Sequence, residues 1–143
     1  GTENLSGIAG FGAAARVARQ GLAHMDEIAA MRDAFQSTIC SLAPDAEIFG
    51  NGAPRLANTV FFAIPGLKAE TAQIGFDLAG VAVSAGSACS SGRVGPSHVL
   101  KAMGRGGEGG LRVSIGRGTT SRDVELFASA LNAILARRAT RAA

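Results

Sequence analysis

The chain is predicted to fold as an α/β (α+β) structure, a short sheet packed with helices, and three observations predict it. A proline-free, Ala-rich run from about Glu3 to Leu42 carries apolar residues at helical spacing. Beyond it, short strand-like runs alternate with helical ones, the order expected of helices layered on a sheet. Its 143 residues, 47% hydrophobic and 17% charged, have the length and apolar content of one folded core and exclude a disordered chain.

The first region reads as two helices, or one bent near Gly21. Leu22, Met25, Ile28, Ala29, Arg32, Phe35, Ile39 and Leu42 form one stripe. Gly7, Gly10, Gly12 and Gly21 weaken the helix by about 1 kcal/mol each relative to Ala. Such a length exceeds what a small domain needs, and its apolar stripe is expected to seek a neighbour and drive self-association. Pro44 and Asp45 end the region, so residues 1–43 are assigned to a long interdomain helical segment and residues 44–143 to a small α/β domain.

Within that domain, Glu47 to Phe49 is a short strand and Gly50-Asn51-Gly52 a turn. Leu56 to Ile64 is apolar in both phases of its alternation, which predicts a strand covered on both sides. Pro65-Gly66 leads into a helix from about Lys68 to Leu78, closed by Gly80 as its C′ residue. Val81 to Ser84 is the next strand. Pro96 opens a helix through Met103, stopped by Gly104. Leu111, Val113 and Ile115 alternate with Arg112 and Ser114, a strand signal. Thr120 with Asp123 forms a capping box for a final helix that buries Val124, Phe127, Leu131, Ile134 and Leu135.

The bulk numbers exclude several classes of function. The net charge of +3 comes from 14 basic and 11 acidic residues, and the cations are scattered except for Arg137, Arg138 and Arg141. That cluster suits the negative end of a helix dipole better than a phosphate backbone, so no nucleic-acid partner is expected. No uninterrupted apolar run approaches the ~18 residues of a membrane span, and no membrane partner is expected. Cys40 and Cys89 lie far in sequence from His24 and His98, so neither a disulfide framework nor a metal site is expected. Without an export signal, the expected location is cytoplasmic. Gly1 stands where a complete chain would begin with Met, which suggests a cut.

Ten of the 20 glycines fall between Gly86 and Gly118, and the chemistry lies among them. Gly104-Arg105-Gly106-Gly107-Glu108-Gly109 fits the dinucleotide pattern literally, but a helix precedes it and a strand follows, the reverse of what that pattern requires. It is read as a surface connector. Cys40, on the long helix, reads as a small core residue. Cys89 sits in a run from Ser84 to Gly92 with no side chain larger than Cys, and two readings stand side by side: an accessible, reactive thiol or a partly buried loop thiol. Arg112 projects from its strand opposite Leu111 and Val113. It is either a solvated surface Arg or a bidentate carboxylate clamp; Arg117 carries the same ambiguity.

Ser84-Ala85-Gly86-Ser87-Ala88-Cys89-Ser90-Ser91-Gly92, continuing through Gly95-Pro96-Ser97-His98-Val99-Leu100-Lys101-Ala102-Met103-Gly104, resembles the active-site cysteine loop of the NifS/IscS-type cysteine desulfurases, members of the class-V aminotransferase superfamily. Leu111-Arg112-Val113-Ser114-Ile115-Gly116-Arg117 is similar to that family's substrate-arginine strand, and Gly1-Thr2-Glu3-Asn4 to the segment before its long helix. Arg55-Leu56-Ala57-Asn58-Thr59-Val60 also has a counterpart there. The resemblance runs end to end in the right order.

It implies the small C-terminal domain of a fold-type-I pyridoxal-phosphate enzyme, with its cysteine loop at residues 84–95. In that family L-cysteine becomes L-alanine and sulfur passes to the loop cysteine. By resemblance, Cys89 is the nucleophile and persulfide carrier, Arg112 holds the substrate α-carboxylate, and Thr2 reaches the cofactor phosphate across a homodimer interface. The implied partners are the missing large cofactor domain, a second copy of the enzyme, and a scaffold or carrier protein that accepts sulfur for iron–sulfur or thio-cofactor synthesis. Three departures stand out. Neither Lys68 nor Lys101 has the context of the family's Schiff-base lysine, so the chain alone is expected to be inactive. The connector before Leu111 is short, and Val113 follows Arg112 where the family usually has Phe. The alternatives are a free-standing persulfide carrier and the small domain of a related aminotransferase in which Cys89 is idle.

Overall fold

A computed structural model describes residues 2–86, 98–105 and 109–142. Helix α1 spans Leu5–Gly21, a 3₁₀ turn covers Leu22–His24, and α2 follows over Met25–Leu42. The break therefore falls where the glycine and the stripe predicted it. Asn4 caps α1, its Oδ1 accepting from the Gly7 N–H at 2.9 Å.

The first region divides sharply in burial. Helix α2 buries Ile28, Phe35 and Ile39, whereas α1 buries only Gly21 and leaves Leu5, Ile8, Phe11 and Val17 exposed. Leu22, counted in the stripe, is also exposed, because the 3₁₀ turn takes it out of phase with α2. Cys40 is exposed, which corrects its reading as a core residue. It follows the fully buried Ile39 and lies ~100° further round the helix, off the buried stripe.

Four strands form one sheet: β1 (Glu47–Ile48), β2 (Thr59–Ala63), β3 (Ser84–Ala85) and β4 (Leu111–Ser114), in the order β1-β2-β4-β3. Every neighbouring pair is antiparallel, which makes the fold α+β. Strands β2 and β3 flank β4 and so run parallel to each other, joined through helix α3 (Ala69–Leu78), a split βαβ unit. Helices α4 (His98–Ala102) and α5 (Ser121–Ala142) complete the chain.

The core lies between one face of the sheet and α2, α3 and α5. Val60, Phe62, Leu111 and Val113 come from the sheet, Ala72 and Phe76 from α3, and Phe127, Leu131 and Ile134 from α5. Phe127 is the hub, its ring stacked on Phe76 at 5.0 Å and edge-on to Phe35 at 5.3 Å. Val124 and Leu135, expected in the core, pack half-buried at its margin. Among the described residues no helix is long and apolar enough to cross a membrane.

Two strand assignments need correction. Strand β2 is fully covered on one face only: Val60 and Phe62 are buried, while Thr59, Phe61 and Ala63 are half-buried. Apolar residues in both phases therefore reflect one core face and one partly open face. The strand assigned to Val81 to Ser84 is observed at Ser84–Ala85. The Val81 N–H is held by the Phe76 carbonyl at 2.9 Å and the Gly80 N–H by that of Asp77 at 2.9 Å, a Schellman closure that uses the φ of 77° at Gly80. Val81, Ala82 and Val83 then line a cleft of about 260 Å³ with Val113, Ser114 and Ile115 instead of pairing with them.

Helix α5 starts as the capping signal requires. The Thr120 N–H and hydroxyl donate to Asp123 Oδ2 at 2.7 and 2.8 Å. These bonds, the backbone one foremost, hold the Asp123 carboxyl below its ordinary pKa. A depressed folded-state pKa contributes stability above the unfolded value near pH 4 and loses it as pH falls through the folded one. Asp123→Ala is expected to lower the thermal midpoint at neutral pH. The gap to the parent protein should close as pH falls below about 4, followed by circular dichroism; a gap of constant size would refute the linkage.

Candidate functional site

The face of the sheet turned away from the core carries Arg112. Strand alternation sends Leu111 and Val113 inward, both buried, and leaves Arg112 half-buried on the other side. Its register partners are Phe61 on β2 and Ser84 on β3, and directly opposed residues share a face. The row extends to Phe49, whose N–H donates to the Phe61 carbonyl at 2.8 Å and whose ring lies 4.9 Å from that of Phe61. Ser84, Arg112, Phe61 and Phe49 thus cross the sheet side by side.

The next row begins with two glycines. The Gly86 N–H donates to the Gly110 carbonyl at 2.9 Å, carrying the β3–β4 ladder one step past the strand. Gly110 is buried, and a Cβ there would stand 2.6 Å from Cε2 of Phe61 and 3.2 Å from the Phe62 carbonyl oxygen. The Phe61 ring therefore occupies the space that a side chain at 110 would take. Arg112 sits against this aromatic floor, on a strand flanked by both partners.

The guanidinium is only partly satisfied. Nη2 donates to Ser84 Oγ at 3.5 Å, the long limit of a hydrogen bond. Nε is enclosed and has no hydrogen-bond partner among the described residues, an arrangement that is unfavourable for a buried donor. Nε and Nη2 form one edge of the planar fork, the edge that matches the two oxygens of a carboxylate. This donor set has the geometry to meet a carboxylate, and Arg112 is half-buried on its strand.

The other expected site residues lie apart from it. Thr2 is exposed ahead of α1, and no described contact joins it to Arg112. Cys89 lies outside the described residues; in sequence it follows Gly86 by three positions, and β3, which carries Ser84, leads into its segment. Arg117 is exposed, its Nη1 3.8 Å from where a Cβ on Gly21 would stand, at the break between α1 and α2. Lys68, at the N-cap of α3, and Lys101 on α4 are both exposed. Neither is among the described contacts of Arg112.

Sequence reasoning passed over Ser84, Phe61 and Gly110 as contributors to this face. Their signal is positional, since each lies in register with Arg112 or beside it, and register depends on which strands pair. Arg55 is a second partly satisfied guanidinium. Its Nη2 donates to Gln36 and Asn51 while Nη1 is enclosed without a partner, bracing the loop before β2 against α2.

Known proteins resemble this chain in sequence and fold. The aminotransferase class-V family model matches residues 1–127. A cysteine desulfurase of Klebsiella pneumoniae is 34% identical over 140 residues, covering 96% of this chain and 35% of that protein. The cysteine desulfurase NifS of Azotobacter vinelandii is 36% identical over 129 residues, 87% of this chain and 32% of the relative. The solved structure of a NifS-like protein from Rickettsia africae superposes with a TM-score of 0.82 at 33% identity, covering 94% of this chain and 36% of that one. The chain spans about a third of the length of these relatives.

Gly110→Ala is expected to destabilise the protein by about 1–3 kcal/mol, because the new methyl has to displace the Phe61 ring. Combining it with Phe61→Leu should cost less than the two changes added together, measured by urea unfolding. Strict additivity would show that the ring does not fill the space over Gly110.

Proposed function

The chain belongs to the aminotransferase class-V family, and from that premise we propose that it is the C-terminal part of a pyridoxal-phosphate-dependent cysteine desulfurase. The complete enzyme converts L-cysteine to L-alanine and passes the sulfur to Cys89 as a persulfide. The single observation that carries this reading is the half-buried Arg112, with an unpartnered Nε, on a strand beside the one that leads to Cys89. Its similarity to proteins named cysteine desulfurase, over nearly its whole length, supports the choice of substrate.

In this reading each residue has a distinct task. Arg112 binds the α-carboxylate through two parallel N–H···O bonds and so fixes the orientation of the amino acid. The Cys89 thiolate attacks the substrate sulfur. An S–S bond forms, the carbon–sulfur bond breaks with its electron pair left on carbon, and that carbon gains a proton to become the methyl group of L-alanine. Glycines and serines on both sides of Cys89 suit a thiol that serves first a substrate and then an acceptor protein. Thr2 contacts the cofactor phosphate across a homodimer interface.

Pyridoxal phosphate supplies the carbon chemistry when bound, and its lysine anchor belongs to a larger domain beyond this chain. Residues 1–43 connect that domain to the small α+β domain of residues 44–143. The persulfide is delivered to a scaffold or carrier protein for iron–sulfur or thio-cofactor synthesis.

Two experiments test this. In the full-length enzyme, Cys89→Ala should abolish sulfide release from L-cysteine under reducing conditions, and Arg112→Lys should raise KM by on the order of 10- to 100-fold through loss of the paired hydrogen bonds. Retained sulfur release in Cys89→Ala would remove the nucleophile from this scheme. Separately, the purified 143-residue chain should form neither alanine nor sulfide from L-cysteine in the presence of pyridoxal phosphate. Turnover by that chain would sink the requirement for an external lysine.

A further inference from the structure

Resting on the reading of Arg112 as a carboxylate clamp, we infer that Ser84 is a positioning residue for that clamp, holding the Nη2 end of the guanidinium so that its Nε–Nη2 edge stays aligned for a substrate carboxylate. Ser84 and Arg112 are direct register partners on β3 and β4, so their Cβ atoms are about 4.5–5.5 Å apart. The Ser84 hydroxyl is the described hydrogen-bond acceptor for Arg112, at 3.5 Å from Nη2. On the other side of Arg112 stands Phe61, its register partner on β2, whose ring has no strong acceptor for an N–H. Among the described residues, lateral control of the guanidinium therefore falls to the serine.

The length of this bond is informative. At 3.5 Å it restrains the arginine weakly, and Nε beside it has no partner among the described residues. A carboxylate reaching this edge satisfies both donors with short, charge-assisted bonds. The hydroxyl gives up its share of Nη2 at little cost and can turn its own proton toward the incoming oxygen. A carboxylate at position 84 would instead neutralise the clamp, and an aliphatic side chain would leave Nη2 without its acceptor. Serine at the start of β3 restrains an unsatisfied arginine without competing against the substrate.

The test is a kinetic series in the full-length enzyme. Ser84→Ala should raise KM for L-cysteine by about three- to tenfold, the effect of losing one long, weak hydrogen bond, with kcat within about twofold. Ser84→Thr, which restores a hydroxyl on the same β-carbon, should recover most of the loss. The inhibition constant of L-alanine should rise in parallel with KM, while that of cysteamine, which has no carboxylate, should not move. An unchanged KM in Ser84→Ala, a fall in kcat alone, no recovery by Ser84→Thr, or an equal loss for cysteamine would each overturn the inference. Arg112→Lys in the same series separates the two levels. If it leaves KM unchanged, the clamp reading itself fails; if it raises KM while Ser84→Ala does not, only the role of Ser84 fails.

Discussion

The structure depends on the register of β4 between β2 and β3. Val60 opposes Val113 and Phe62 opposes Leu111 on the core face, while Phe61 opposes Arg112 on the other. Because strand side chains alternate with a period of two, a slip by one residue would drive the Arg112 guanidinium into the apolar layer and turn Leu111 and Val113 outward. The penalty for an unpaired charge in a core is far larger than any single packing term. Hydrophobic burial on one face thus sets the position of the polar group on the other, and the aromatic cluster around Phe127 acts on the site through this register alone.

The open face shows how little material the arrangement requires. One row across the sheet is Ser84, Arg112, Phe61 and Phe49, and the row beside it includes Gly86 and Gly110. Phe61 can lean over Gly110 because no Cβ is there, and Phe49 braces it from the far side. The aliphatic stem of Arg112 gains apolar neighbours while its head keeps free donors, the division of labour that suits a long cationic side chain. Half-burial also matters for binding, since a charge-assisted bond is stronger where solvent competes less.

Most of the architecture was legible in the residues. The helix break near Gly21, the C′ role of Gly80, the capping pair Thr120 and Asp123, and the phase of Arg112 all follow from local chemistry, and each is observed. What was not legible depends on pairing. The apolar double alternation of Leu56 to Ile64 looked like a strand covered on both sides, but one face is only partly covered within this chain. Val81 to Val83 had strand-forming side chains, yet the Schellman closure after α3 aims them along a cleft. Cys40 was misplaced because an apolar neighbourhood in sequence says nothing about which side of the helix a residue takes. For the site, Arg112 stood out from its phase, whereas Ser84, Phe61 and Gly110 acquire meaning only once β2, β3 and β4 are side by side.

An enclosed donor without an acceptor is uncommon, since buried polar groups are nearly always paired. Arg112 Nε and Arg55 Nη1 both have that status among the described residues, but their surroundings separate them. Arg55 already spends its Nη2 on Gln36 and Asn51, two side-chain acceptors within a brace between a loop and α2, so its remaining nitrogen is the residue of a structural task. Among the described residues Arg112 has one long bond, to the Ser84 hydroxyl beside it, and the row continues on its other side with Phe61 and Phe49. An arginine with few acceptors among the described residues, on a central strand beside the root of a cysteine-bearing segment, fits the proposed clamp, whose acceptor arrives with the substrate.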